Sequence, residues 1–90
     1  AAVHHLTRIL AKRLVGENIL VNAIAPGPYE SMMLGAAVNH DYSFIESRNP
    51  RKRIGSPEDI AGLAIFLCSR AGAYTVGETV TCDGGLVTTR

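Results

Sequence analysis

Apolar and polar positions change period several times along the 90-residue chain, and each change marks an element. Val3, Leu6, Leu10 and Leu14 recur at helical spacing while Arg8, Lys12 and Arg13 mark more polar surface, so residues 1 to about 15 predict an amphipathic helix. Gly16 suits its C-cap, because it adopts the left-handed conformation with no Cβ to clash. Ile19 to Ala25 is then a nearly unbroken apolar run rich in β-branched residues, the pattern of a buried strand. It stops at Pro26-Gly27-Pro28, which neither strand nor helix carries through.

From Glu30 to Asn49 no single period holds. Ser31-Met32-Met33-Leu34 predicts a short helix with Ser31 as its cap, and Tyr42 to Arg48 another with Phe44 and Ile45 facing inward. A long, weakly patterned segment with adjacent methionines, placed just after a strand's carboxyl end, predicts a lid or substrate loop. Asn49-Pro50 is a break, and Arg51-Lys52-Arg53 reads as solvated surface. The sharpest local signal follows. Ser56-Pro57-Glu58-Asp59 supplies an N-cap hydroxyl, proline at the first helical position and two acids in the first turn. Ile60, Leu63, Ala64 and Leu67 carry that helix to about Ser69, Arg70 suits its C-terminal dipole, and Gly72 stops it. Thr75-Val76-Gly77 turns the chain into a short strand, Glu78 to Cys82, and Asp83-Gly84-Gly85 turns it out again.

The predicted order is helix, strand, lid, helix, strand: an α/β fold, with a right-handed crossover that makes the two strands parallel. No repeat or linker divides it. Open parallel sheets collect ligands beyond the carboxyl ends of their strands, so function is expected at the turn Pro26 to Ser31.

Composition narrows the partners more than the fold. With 47% hydrophobic and 19% charged residues the chain is ordinary globular protein, and a net charge of +1 argues against a nucleic-acid or membrane partner. The longest apolar run, Ile60 to Cys68, falls short of the roughly 20 residues of a membrane span. No basic segment followed by an apolar one reads as a signal peptide, so a cytoplasmic location is expected. Cys68 and Cys82 have no metal or redox spacing and are expected to be buried free thiols. His4 and His5 project about 100° apart on a helix and cannot share a metal, so no metal is expected.

In order and spacing these segments resemble the classical short-chain dehydrogenases/reductases. Asn22-Ala23-Ile24-Ala25-Pro26-Gly27 is similar to that family's Asn-x-x-x-Pro-Gly segment at the nicotinamide end of the cofactor. Arg53-Ile54-Gly55-Ser56-Pro57-Glu58-Asp59-Ile60-Ala61 resembles its Arg-x-Gly-x-Pro-Glu-(Asp/Glu)-Ile-Ala helix start, and Gly77 with Asp83-Gly84-Gly85 its last strand and exit turn. The resemblance implies the carboxyl-terminal part of a Rossmann-like doubly wound parallel sheet, residues 1–90 being an incomplete portion of one domain. It implies NAD or NADP as cofactor, a carbonyl or alcohol substrate, and a homo-oligomer in which the first helix packs against a partner subunit. Pro26, Gly27, Tyr29 and Ser31 then fall on the nicotinamide, and Met32, Met33, Leu34 and Val38 on an apolar part of the substrate. Tyr29 stands where the family commonly has an aliphatic residue, and Ser31 where it has Thr.

The family's catalytic Tyr with Lys four residues later is missing: Tyr29, Tyr42 and Tyr74 are followed at that spacing by Met33, Glu46 and Glu78. No two glycines stand at i and i+2, so no glycine-rich phosphate turn is present. Ala1-Ala2-Val3 resembles the helix directly after the catalytic Lys. The 90 residues alone are therefore expected to be inactive, the carboxyl-terminal part of an enzyme. The alternatives are a non-catalytic association module and a non-functional fragment.

Overall fold

The structure, a computed structural model, describes residues 2–29 and 32–90. Ser31, with the cap expected of it, lies outside the described residues. The chain divides into two compact units, residues 1–25 with 62–80 and residues 26–61 with 81–90. Among the described residues four α-helices, α1 (Ala2–Leu14), α2 (Met32–Ala37), α3 (Ser43–Arg48) and α4 (Pro57–Cys68), accompany two strands, β1 (Ala23–Pro26) and β2 (Thr79–Cys82).

The strands pair with each other, and their register runs upward on both. The Gly77 N–H donates to Val21 O (2.9 Å), Ala23 N–H to Glu78 O (2.9 Å) and Gly27 N–H to Cys82 O (3.1 Å), so the pair is parallel, as the predicted crossover requires. Donors at 23 and 27 face β2, which leaves position 26 facing away. Pro26, with no N–H to give, therefore ends β1 without costing the ladder a bond. The strand begins later than the apolar run predicts. At Asn22 the side chain takes over the pairing: Nδ2 donates to Thr75 O (2.9 Å) and Oδ1 accepts from Glu78 N–H (2.9 Å). Ile19 and Leu20, ahead of it, are exposed.

In the first unit, α1 passes through a 3₁₀ turn, Val15–Glu17, and closes at Asn18, whose φ of 61° places it in the left-handed region. Asn18 is the cap, not Gly16, because the 3₁₀ turn carries the chain two residues further before reversal and Asn tolerates that conformation. The expected stripe also lies off the covered face. Thr7 and Ala11 are the residues α1 buries, while Val3, Leu6 and Leu10 stand exposed. Small Ala11 admits close approach: a Cβ placed on Gly77 would lie 3.3 Å from the Ala11 Cβ. The stripe of α4 behaves as expected, Ile60, Leu63, Ala64 and Leu67 being its half-buried line. Cys68, expected buried, is exposed on the last turn of α4, and Cys82 is half-buried; both thiols are free.

In the second unit, Pro57 opens α4 at its first helical position. The N-terminal box is closed by Asp59: its Oδ2 accepts from both Ser56 N–H (2.8 Å) and Ser56 Oγ (3.1 Å). The Ser56 hydroxyl donates inward to that carboxylate instead of accepting an orphan N–H. Phe44, expected inward on α3, is 67% exposed and is met by the Arg48 guanidinium 4.6 Å above its ring, a contact the sequence pattern does not reveal. Asp41 starts α3, accepting from both the N–H and hydroxyl of Ser43.

Candidate nicotinamide-side wall

Everything that shapes the turn after β1 belongs to the second unit. Gly27 presses so closely on the exit of β2 that a Cβ there would lie 2.6 Å from the Asp83 Cβ and 2.8 Å from its Cα. Only glycine lets the turn lie there. One residue on, Pro28 O accepts from Gly55 N–H (2.9 Å), forming a parallel bridge between Tyr29 and Gly55. The Tyr29 ring packs against Gly55, where a methyl group would stand 2.6 Å from Cζ. Its hydroxyl donates to Cys82 O (3.1 Å) and meets Cys82 Sγ at 2.8 Å. Burial, then the contact with Cys82, pushes this phenol up to about 12, so Tyr29 remains a neutral hydrogen-bond donor at ordinary pH.

The carbonyl of the next residue, Asp83, accepts from Nδ2 of Asn49 (3.0 Å), a side chain only 1% exposed. The Asp83 carboxylate meanwhile accepts from Gly85 N–H (2.9 Å) and Val87 N–H (3.0 Å), fixing the exit turn through Gly84 and Gly85, both at positive φ. Tyr29, Asn49, Arg53, Gly55, Cys82 and Asp83 are among the residues lining a cavity of about 180 Å³. Arg53 is exposed, as expected of the basic run, and also makes a specific contact. Its guanidinium holds Asp59 through Nη1 (2.7 Å) and Nη2 (3.1 Å), a two-point contact. The cavity thus contains a matched ion pair and a protonated phenol, groups that hold shape and do not transfer protons.

Arg53, followed by the Ser56 N–H, holds the Asp59 carboxyl far below the usual carboxylate range. The unfolded chain takes up this proton first, near the ordinary value of about 3.9. The stabilisation is therefore complete above that value and is lost as pH falls below it. Urea midpoints of the full-length protein between pH 7 and pH 2 should fall less steeply for Asp59→Asn than for the wild type, and parallel curves would refute this.

The family model described as enoyl-(acyl carrier protein) reductase matches residues 1–87. The chain belongs to the short-chain dehydrogenase/reductase family. Among its relatives, the rhamnolipids biosynthesis 3-oxoacyl-(acyl-carrier-protein) reductase of Pseudomonas aeruginosa is 48% identical over 88 residues, covering 94% of this chain and 34% of the relative. The 3-oxoacyl-(acyl-carrier-protein) reductase of Thermotoga maritima is 40% identical over 87 residues, covering 97% and 35%. The solved Pseudomonas aeruginosa RhlG/NADP active-site complex superposes with a TM-score of 0.86 at 44% identity, covering 94% of this chain and 35% of that one. A putative 2-deoxy-D-gluconate 3-dehydrogenase from Agrobacterium tumefaciens with bound NADP gives 0.84 at 40% identity, covering 96% and 36%. The chain spans about a third of the length of the curated relatives it matches.

On this short-chain dehydrogenase/reductase chain the sequence-based site residues are unevenly placed. Pro26, Gly27 and Tyr29 share the turn after β1. Met32, Met33 and Leu34 lie in α2, with Leu34 half-buried, and Val38 is half-buried just beyond its end. Sequence reasoning missed Asn49, Asp83 and the role of Gly55 in this wall. Asn49 carried a usable signal, since a residue before proline is held extended, here at φ −89° and ψ 129°. Among the described residues no group of three potential ligands holds a metal, and no helix is long and apolar enough to cross a membrane.

Proposed function

We propose that the chain supplies the nicotinamide-side wall and substrate lid of an oxidoreductase that transfers a hydride between NAD or NADP and a carbonyl or alcohol. The observation that carries this is the turn Pro26-Gly27-Pro28-Tyr29 at the carboxyl end of β1, backed by Asp83 and Gly55. The residues fit one end of the cofactor. The glycine keeps the turn free of a side chain that would block a flat ring, no ionised group belongs to it, and Tyr29 is engaged from behind by Gly55 and Cys82. The cofactor would supply the hydride. Pro26, Gly27 and the backbone at Tyr29 would orient its carboxamide, with Ser31 donating a further hydrogen bond.

Met32, Met33, Leu34 and Val38 favour a substrate with an apolar portion, and the names of the relatives make a 3-oxoacyl thioester the first compound to test. The catalytic Tyr and Lys belong outside these 90 residues. The exposed line of Val3, Leu6 and Leu10 on α1 supports a homo-oligomer in the intact enzyme.

In the intact oxidoreductase, Ser31→Ala should weaken nicotinamide cofactor binding about five- to tenfold, the loss of one hydrogen bond. The 90 residues by themselves should bind neither NAD(H) nor NADP(H) tightly. Fluorescence titration reads both. An unchanged Kd for Ser31→Ala, or tight binding by the 90 residues, would refute the reading.

A further inference from the structure

The loop between α3 and α4 does more than connect them. Leaving α3, the chain reaches Asn49, whose N–H still donates to Glu46 O (3.2 Å). Its side chain is the most completely buried large one described, yet it is polar. Both its ends are used: Nδ2 donates to Asp83 O (3.0 Å), and Oδ1 accepts from Arg51 N–H (2.9 Å). Burying an amide among backbone groups is unfavourable unless it is satisfied on both sides, so this geometry is narrowly defined. The fit is tight on the far side too, where a methyl group on Gly84 would overlap Asn49 Oδ1.

Six residues later the same loop makes its second attachment, through Gly55 N–H to Pro28 O and the Tyr29 ring against Gly55. Tyr29 in turn donates to Cys82 O, the residue before Asp83. The contacts therefore close a ring: Asn49 to Asp83, on to Cys82, across to Tyr29, through Gly55 and back along the loop. Asn49, Asp83, Cys82, Tyr29 and Gly55 all line the 180 Å³ cavity. Asp83 is also the residue against which Gly27 rests.

We propose that Asn49 is a positioning residue, the fixed carboxyl-terminal anchor of the lid, which through Asp83 sets the place of the Gly27–Tyr29 turn. The placement of the cofactor rests on the functional reading above; the anchoring itself does not.

The test uses the intact oxidoreductase with Asn49→Leu, which keeps the branched shape without either hydrogen bond, and Lys52→Ala as a control, since the Lys52 side chain reaches Ser47 O and is not among the residues lining the cavity. Should Asn49→Leu fold poorly, Asn49→Asp keeps the acceptor for Arg51 N–H and turns the donor to Asp83 O into a carboxylate oxygen that repels it. The first readout is the rate at which iodoacetamide alkylates Cys82, followed by mass spectrometry. Loss of the Asn49 bond should open the ring and speed alkylation about tenfold, with Lys52→Ala unchanged. The second readout is cofactor Kd and carbonyl-substrate KM, each expected to rise about tenfold in the Asn49 variants. A purely structural role would lower the melting temperature and the active fraction, reducing apparent kcat, and leave Kd and KM where they were. Unchanged alkylation overturns the anchor, and a Kd and KM within about twofold of wild type overturn the positioning role. If the wild type binds no nicotinamide cofactor, the functional reading fails separately, and the alkylation rates still decide the anchor.

Discussion

Expressed by themselves, the 90 residues are expected to give no cooperative, monomeric thermal transition. The reason is cover. The chain exposes 6668 Å², against about 5,100 Å² for a folded monomer of its 9.6 kDa mass. Ala11 is the one hydrophobic side chain that is fully buried among the described residues, while Val3, Leu6, Ile9, Leu10, Ile65 and Phe66 all stand exposed. A two-stranded sheet is marginal in water even with one face covered, and among the described residues β1 pairs on one side only. Stability in small domains is a difference of a few kcal/mol between large terms, so so thin a core leaves no margin. Calorimetry should show a broad or absent transition, and light scattering after size exclusion should show oligomers or aggregate. A sharp two-state transition from a monomer would refute the proposal that these residues are part of a larger sheet.

What the sequence made legible was local. The start of α4 was readable because Ser56, Pro57 and Asp59 meet one another within one turn of chain. The parallel pairing followed from element order, and Asp83-Gly84-Gly85 announced its own turn. Hydrophobic spacing failed differently. It marked Val3, Leu6 and Leu10 as residues that need cover, but cover depends on what packs there, and within this unit Thr7 and Ala11 receive it. Phe44 failed for the same reason. The start of β1 was missed because Asn22 answers to Thr75 and Glu78, more than fifty residues away, and nothing local betrays that. The wall behind the turn is assembled at similar range: Asn49 meets Asp83 across 34 residues and Tyr29 meets Cys82 across 53. The resemblance located the turn, and only the folded chain showed what supports it.

Gly27→Ala should be among the most damaging single-methyl changes in the chain. The added Cβ would stand 2.6 Å from the Asp83 Cβ and 2.8 Å from its Cα, and neither is the end of a flexible side chain. Asp83 cannot retreat, because its carbonyl is held by Asn49 and its carboxylate by the N–H groups of Gly85 and Val87. The turn must move instead. Overpacking of this kind costs about 1–3 kcal/mol, and stretching the Gly27 N–H bond to Cys82 O adds about 0.5–1.5 kcal/mol. Cofactor placement should suffer comparably, since displacing a positioning element by an ångström is worth about a hundredfold in rate, or about 2.7 kcal/mol. Gly62→Ala supplies the contrast. A Cβ there meets nothing within 4 Å, and alanine in mid-helix is favoured over glycine by about 1 kcal/mol, so the same methyl should stabilise α4. Urea unfolding and cofactor titration of the two variants in the intact oxidoreductase test both signs. A Gly27→Ala protein that unfolds with the wild type and binds cofactor as tightly would show that the close approach to Asp83 does not set the turn.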